Sequence, residues 1–201
     1  MPLIDFGRWD LPALREEWQA ARPFGHVVID GLVAEDRLER LRQGVAAEPH
    51  FPDVADLYEM MSSRSPVTAP ALLEVQAALG APEGLAAVAE ITGKPVARVE
   101  LRSYIYLAGS FLLPHSDCRA GLERLVAYAY YLMPREASRG GELELFDCEL
   151  AGADTVTTRS AKRIEPEGNR IVLFDVAPHT LHQVREVTSG ARASLAGWFY
   201  R

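Results

Sequence analysis

The chain has 201 residues, 48% apolar and 24% charged, enough for one soluble globular domain with a sizeable core. A net charge of −7 with scattered lysines and arginines leaves no clustered basic footprint, so no nucleic-acid partner is expected. No stretch approaches the roughly 18–20 uninterrupted apolar residues of a membrane span, so no membrane partner is expected either.

The opening MPLIDFGRWD lacks the basic start and apolar run of a signal peptide, which makes a cytoplasmic location the expectation. Residues 11–21 have helical composition and run toward Pro23. The segment 26–30 (HVVID) reads as a first strand between Gly25 and Gly31. In 33–47, Leu38, Leu41 and Val45 recur at helical spacing on one face. Residues 50–70 mix aromatics, methionines, serines and prolines. A short helix at 53–61 and then a loop are expected there, with 50–68 a candidate lid. Two more helices are expected near 69–79 and 83–92, the second closed by Gly93.

Beyond Pro95 the pattern becomes short runs rich in β-branched and aromatic residues. They lie at 96–107, 111–116, 124–133, 142–147, 170–176, 180–187 and 191–200, with Gly, Pro, Ser or Asp in the breaks. Many short strands at close spacing predict an all-β sandwich or barrel preceded by helices. We expect a single domain over 1–201, with a helical support region (1–95) and a β core (96–201).

Two of the five histidines fall in informative places. His115 and Asp117, in FLLPHSDCR, are two apart on an expected strand and so would point to one face. An imidazole and a carboxylate aimed at one point, joined by a histidine from elsewhere, make a 2-His-1-carboxylate triad. That set leaves three positions of an octahedral iron open. His182 and His179, in DVAPHTLHQVREV, are the candidates for the third ligand. His182 is favoured because it lies in a strand-like run, whereas His179 comes after Pro178 in a connection. An isolated HxD pair is more often structural, so the triad gains its weight from an arginine further along the chain.

That arginine is Arg192, ten residues beyond His182 in ARASLAGWFY. A guanidinium on this small, apolar strand would be half-buried and in need of an anion, unless a surface acid pairs with it. A dicarboxylic co-substrate would supply one through two parallel hydrogen bonds. Elsewhere, Gly140-Gly141 reads as a bend permitting close strand approach, Asn169 as a turn residue, and Glu142 and Glu144 as a solvated strand face. Cys118 and Cys148 form no metal-like cluster and are expected as free thiols. Cys118 would point away from its neighbour Asp117.

Taken in order, six segments carry a resemblance: YLAGSFLLPHSD (106–117), RLVAYAYYLMP (124–134), GGELELF (140–146), EGNRIVLFDV (167–176), LHQVREV (181–187) and RASLAGWF (192–199). Together they resemble the prolyl-4-hydroxylase-like branch of the Fe(II)/2-oxoglutarate-dependent dioxygenases. The opening GHVVIDGLVAEDRLERL is more weakly similar to the strand–helix start of such enzymes.

The resemblance implies a double-stranded β-helix (jelly roll), Fe(II) and 2-oxoglutarate as cofactors, and O2. It implies His115, Asp117 and His182 as metal ligands and Arg192 as anchor for the far carboxylate of 2-oxoglutarate. Tyr131 would donate a hydrogen bond to that carboxylate. Tyr106 matches a second pocket tyrosine, although core packing explains it equally well, and Ser194 matches an Arg-x-Ser pairing found in some branches. The implied reaction is hydroxylation of an unactivated C–H in a small molecule or a prolyl residue. Asp117 itself favours hydroxylation, since related halogenases carry a small residue in its place. The other readings are a non-oxygenase metal enzyme of jelly-roll type and an inactive binding domain of the same fold. Arg102, Tyr104, Arg119 and Arg124 are candidates for pocket polarity, and pocket-facing Arg119 and Arg124 would favour an acidic substrate.

Overall fold

The computed structural model describes residues 2–151 and 154–201. In chain order its elements are α1 (Leu11–Ala20), β1 (His26–Asp30), α2 (Glu35–Ala47), β2 (His50–Ala55), β3 (Tyr58–Ser63), α3 (Pro70–Gly80) and α4 (Pro82–Thr92). Next come β4 (Arg98–Val99), β5 (Arg102–Leu107), β6 (Phe111–His115), β7 (Arg124–Tyr131), β8 (Ser138–Gly140) and β9 (Leu143–Ala151). The last four are β10 (Asp154–Ile164), β11 (Arg170–Asp175), β12 (His182–Val184) and β13 (Val187–Tyr200).

The helices end where local chemistry dictates. Asp10 caps α1 by accepting the Ala13 N–H at 3.1 Å, and Gly93, at φ +70°, closes α4. Ala69, at the start of α3, has no side chain able to cap. The buried carboxylate of Glu48 takes over and accepts the N–H groups of Thr68 and Ala69.

Among the described residues the strands form one antiparallel sheet whose main path runs β1-β11-β7-β13-β5-β3-β6-β12-β9-β10. The sheet curls: residues from β5, β6, β7, β11, β12 and β13 all line one cavity of about 300 Å³. This is the jelly roll, mainly β with N-terminal helices. Period-two alternation divides it into two faces. Along β7, Val126, Tyr128 and Tyr130 pack outward with Leu38 and Leu41 of α2, Leu72 of α3 and Ile91 of α4. Ala127, Ala129 and Tyr131 face inward with Leu143, Leu145 and Phe174. The two small alanines at the centre of the inner face leave the cavity open.

Two expectations fail in instructive ways. Residues 53–61 are not helical: β2 and β3 form a hairpin across Asp56-Leu57, in the register Ala55↔Tyr58. Pro52 is tolerated because β2 pairs only with β3 and is an edge strand. The support region is therefore not purely helical, since β1, β2 and β3 all join the sheet. The expected strand at 142–147 extends to Ala151 and returns as β10, a strand the sequence pattern does not announce. Residues 154–164 (DTVTTRSAKRI) are rich in threonine but lack the apolar alternation of a buried strand. No helix of the described residues is long and apolar enough to cross a membrane.

Candidate metal centre

His115 is the last residue of β6 and His182 the first of β12, and the two are direct cross-strand partners. Residues opposite each other in a ladder project to one face, and the imidazole centroids are 4.3 Å apart. Asp117 lies two residues beyond the end of β6, in irregular backbone, so its aim does not come from strand alternation. The turn supplies it: the Ser116 hydroxyl donates to the Ala177 carbonyl at 2.7 Å, tying this turn to the one that precedes His182.

Each histidine has one nitrogen committed to the backbone. Nδ1 of His115 faces the Leu113 carbonyl at 2.9 Å, and Nδ1 of His182 faces that of Thr180 at 3.2 Å. A carbonyl can only accept, so both rings carry the proton on Nδ1 and keep the Nε2 lone pair. Those Nε2 atoms lie 3.8 and 3.5 Å from the carboxylate oxygens of Asp117. The potential ligand atoms of all three residues fall within 4.8 Å of one another. Burial holds His182 down to a pKa of about 4, against the opposing pull of Asp117. Its imidazole is therefore neutral near pH 7. Two imidazoles and one carboxylate, gathered with no fourth protein donor among the described residues, fit a first-row divalent ion that keeps open positions. His179 is exposed and outside the cluster. Cys118 is exposed and Cys148 half-buried, and both are free thiols.

Arg192, only 4% exposed, projects from β13 into the same cavity. It stands opposite Tyr106 in the β13–β5 register, and Ser194 stands opposite Tyr131 in the β13–β7 register. The Arg192 guanidinium carbon lies 4.5 Å from the Tyr106 ring centre and 5.0 Å from that of Tyr131. One guanidinium nitrogen donates to the Gly141 carbonyl. Its Nε, and the hydroxyl of Tyr131, are buried with no hydrogen-bond partner. Among the described residues no carboxylate pairs with Arg192. A buried cation and a buried phenol lacking an acceptor fit one end of a dicarboxylate. Burial raises the pKa of both Tyr106 and Tyr131, opposed by Arg192, so both phenols remain donors. Ser194 is buried and lines the cavity; the half-buried Arg102, Tyr104 and Arg124 and the exposed Arg119 line it too. A larger cavity of about 520 Å³, bounded by α1, β1 and α2, contains none of these groups.

Glu144 overturns the reading of a solvated face. It is 1% exposed, and its carboxylate accepts from Ser160, Arg163, Gln183 and Arg185. Burial alone would raise its pKa, but these four donors bring it down to about 2. The partners come from β10, β12 and the segment after β12, so no local sequence signal announces them.

The second half of the chain matches the 2OG-Fe(II) oxygenase superfamily model over residues 100–200, and the chain belongs to that family. The family uses Fe(II), 2-oxoglutarate and O2. Two curated relatives are similar in sequence. One is the mouse (Mus musculus) prolyl 3-hydroxylase OGFOD1, 37% identical over 92 residues. The other is the fly (Drosophila melanogaster) prolyl 3-hydroxylase sudestada1, 30% identical over 119 residues. The matched stretches take in 44% and 55% of this chain but only 16% and 22% of those relatives. In fold, the chain is similar to a Pseudomonas putida prolyl-4-hydroxylase, with a TM-score of 0.73 at 21% identity. That match covers 95% of this chain and 98% of the other. It is also similar to SnoN, an alpha-ketoglutarate-dependent epimerase from nogalamycin biosynthesis, with a TM-score of 0.68 at 16% identity, covering 95% and 85%.

Proposed function

We propose that this chain acts as a single-domain Fe(II)- and 2-oxoglutarate-dependent dioxygenase, hydroxylating an unactivated C–H of a small molecule or of a prolyl residue. In this reading His115, Asp117 and His182 hold the iron, and Arg192 binds the far carboxylate of 2-oxoglutarate. Tyr131 donates to the same group, with Tyr106 and Ser194 completing the wall. The observation that carries the reading is the unpartnered Nε of Arg192 beside the unpartnered Tyr131 hydroxyl, in the cavity that holds the triad.

When bound, iron and 2-oxoglutarate supply the oxidising chemistry, in which O2 and the keto acid are consumed and hydroxyl is delivered to substrate. The protein's residues do the rest. The Nδ1–carbonyl bonds keep both imidazoles in the tautomer that presents Nε2. Arg192 and Tyr131 fix the co-substrate by one end, so that its other end has a single place to go. Leu143, Phe174 and Val184 give the cavity an apolar wall beside the candidate ligands. A metal enzyme that used no keto acid would leave the Arg192–Tyr131 pair with nothing to bind. The curated prolyl hydroxylase relatives support a prolyl substrate, and the small cavity is compatible with a free amino acid or similar molecule. The free thiols of Cys118 and Cys148 support a reducing compartment such as the cytoplasm.

The test is anaerobic. Fe(II) and 2-oxoglutarate added to the purified protein should give the weak metal-to-ligand charge-transfer band of a chelated keto acid, absent in Asp117→Ala. A folded, metal-binding protein that gives no band would overturn the assignment.

A further inference from the structure

The three candidate ligands are not held alike. His115 and His182 stand at strand ends and face each other in one rung of the ladder, so the sheet fixes both. Asp117 has no strand behind it. It belongs to the connection 116–123 between β6 and β7, of which residues 118–123 are exposed. A carboxylate on such a segment swings unless something local holds it, because fixing one residue's backbone costs about 1–2 kcal/mol.

The holding group is the hydroxyl of Ser116, which lies between two of the ligand candidates in sequence. It donates to the Ala177 carbonyl at 2.7 Å and accepts the Cys118 N–H at 3.1 Å. The second bond closes a tight turn around Asp117, and the first fastens that turn to the segment before β12. Thr180, which is buried, closes that segment in its turn. Its hydroxyl accepts the Ala177 N–H and donates to the Ala177 carbonyl, both at 2.9 Å. The carbonyl of Thr180 then accepts the Nδ1–H of His182. A continuous path thus joins Asp117 to His182 through the Ser116 hydroxyl, the Ala177 carbonyl and Thr180. Arg124 also reaches the turn, but its Nη1 stands 3.5 Å from the Asp117 carbonyl, at the outer limit of a hydrogen bond. Ser116 is the stronger tether.

We propose that Ser116 is a positioning residue of the metal centre. Its hydroxyl, clasped to the Ala177–Thr180 turn, holds the Asp117 carboxylate in place before the ion arrives. The inference rests on the reading of His115, Asp117 and His182 as metal ligands. Ser116 itself touches no ion. Without the clasp, Asp117 would be ordered only when metal binds, and that cost would appear in the metal affinity. Removing a group that orients a metal ligand typically weakens binding about 10- to 100-fold.

The test titrates Mn(II) calorimetrically into metal-free protein, native and substituted, and records the visible spectrum of each with Co(II) in place of iron. Ser116→Ala should bind Mn(II) ten-fold or more weakly. Ser116→Thr, which keeps the hydroxyl, should restore most of the native affinity. The Co(II) bands follow the ligand set, so they should change in Ser116→Ala and return in Ser116→Thr. A serine that only stabilised the fold would lower the Tm of the metal-free protein yet leave the Mn(II) affinity and the Co(II) bands native, and that result would overturn the proposal. Equal losses in Ser116→Ala and Ser116→Thr would overturn it too, since the hydroxyl would not be the cause. Should Ser116→Ala not fold, Thr180→Val removes the far side of the clasp while keeping the side-chain shape. It should show the same weakening, and native affinity there would count against the clasp. Failure of the native protein to bind Mn(II) is a separate result that removes the metal-centre reading itself.

Discussion

At the scale of single residues, the candidate site divides into groups proposed to hold metal and groups proposed to hold anions, and substitution should separate them. Asp117→Ala and His182→Ala are expected to abolish iron-dependent turnover and to weaken Mn(II) binding in calorimetry, whereas the exposed His179 should tolerate alanine. Full activity in His182→Ala would mean the wrong histidine has been assigned. Arg192→Ala should leave Mn(II) binding intact and raise the 2-oxoglutarate requirement. Charge-assisted hydrogen bonds contribute about 1.5–3 kcal/mol, so the increase should be roughly 10- to 150-fold. Tyr131→Phe, which removes one neutral donor, should cost about 1 kcal/mol, a several-fold effect. These residues are legible in the sequence because each is a chemically unusual group in an apolar run. The contact between Arg124 and the Trp198 ring, 3.5 Å from guanidinium carbon to ring centre, is only half legible. Arg124 can be suspected of facing the pocket, but nothing in the chain order pairs it with a ring so far along the sequence.

At the scale of elements, β9 and β12 are held by a carboxylate rather than by apolar packing alone. Glu144 and Gln183 are cross-strand partners immediately beside the Leu145–His182 pair. Glu144 thus supports the strand that presents a metal-ligand candidate. Because folding lowers its pKa from 4.5 to about 2, its contribution is present above pH 4.5 and is lost as pH falls toward 2. A shift of that size corresponds to roughly 3 kcal/mol. Urea titrations should show this acid loss as pH falls from 4.5 toward 2 in the native chain and a shallower one in Glu144→Gln. Equal slopes in the two proteins would reject the assignment.

Gly140 makes a backbone demand of a different kind. Its φ is +77°, and an added Cβ would sit 2.1 Å from the Glu186 carbonyl oxygen. Gly140→Ala should therefore lower stability by about 2 kcal/mol or more, measurable as a fall in Tm. The bend is readable from the glycine pair, whereas the buried role of Glu144 is not. The alternation Glu-Leu-Glu-Leu is the same for a solvated face and for one covered by a further strand. The donors brought by β10, β12 and the segment after β12 decide between them. The β2–β3 hairpin is hidden for a related reason, since methionine, tyrosine and glutamate suit helix and strand alike when the neighbouring strand is unknown.

At the scale of the whole molecule, metal affinity and stability should be linked. A ligand that binds only the folded protein, at a hundred times its Kd, adds about 2.7 kcal/mol. For a chain of this size that corresponds to a rise in Tm of roughly 5–10 °C. Mn(II) should produce such a shift in the native chain and none in Asp117→Ala, as read by calorimetric melting. A shift of equal size in both would mean that the ion binds elsewhere. The jelly roll is legible because its strands succeed one another with turn residues between them. The N-terminal region is less so, because β1, β2 and β3 are short and acquire their meaning from the long-range pairings that complete the sheet.

The pairing of His115 with His182 has one more consequence. The two candidate ligands sit in the same rung of a ladder between two short strands, so an ion bound to both fastens those strands together at that rung. β12 has only three residues, and a slip of one position would turn His182 to the opposite face. The metal would therefore act as a pin that selects the register. Amide hydrogens along β6 and β12 should exchange with solvent more slowly when the ion is present, while those of α3, packed on the outer face of the sheet, keep their pace.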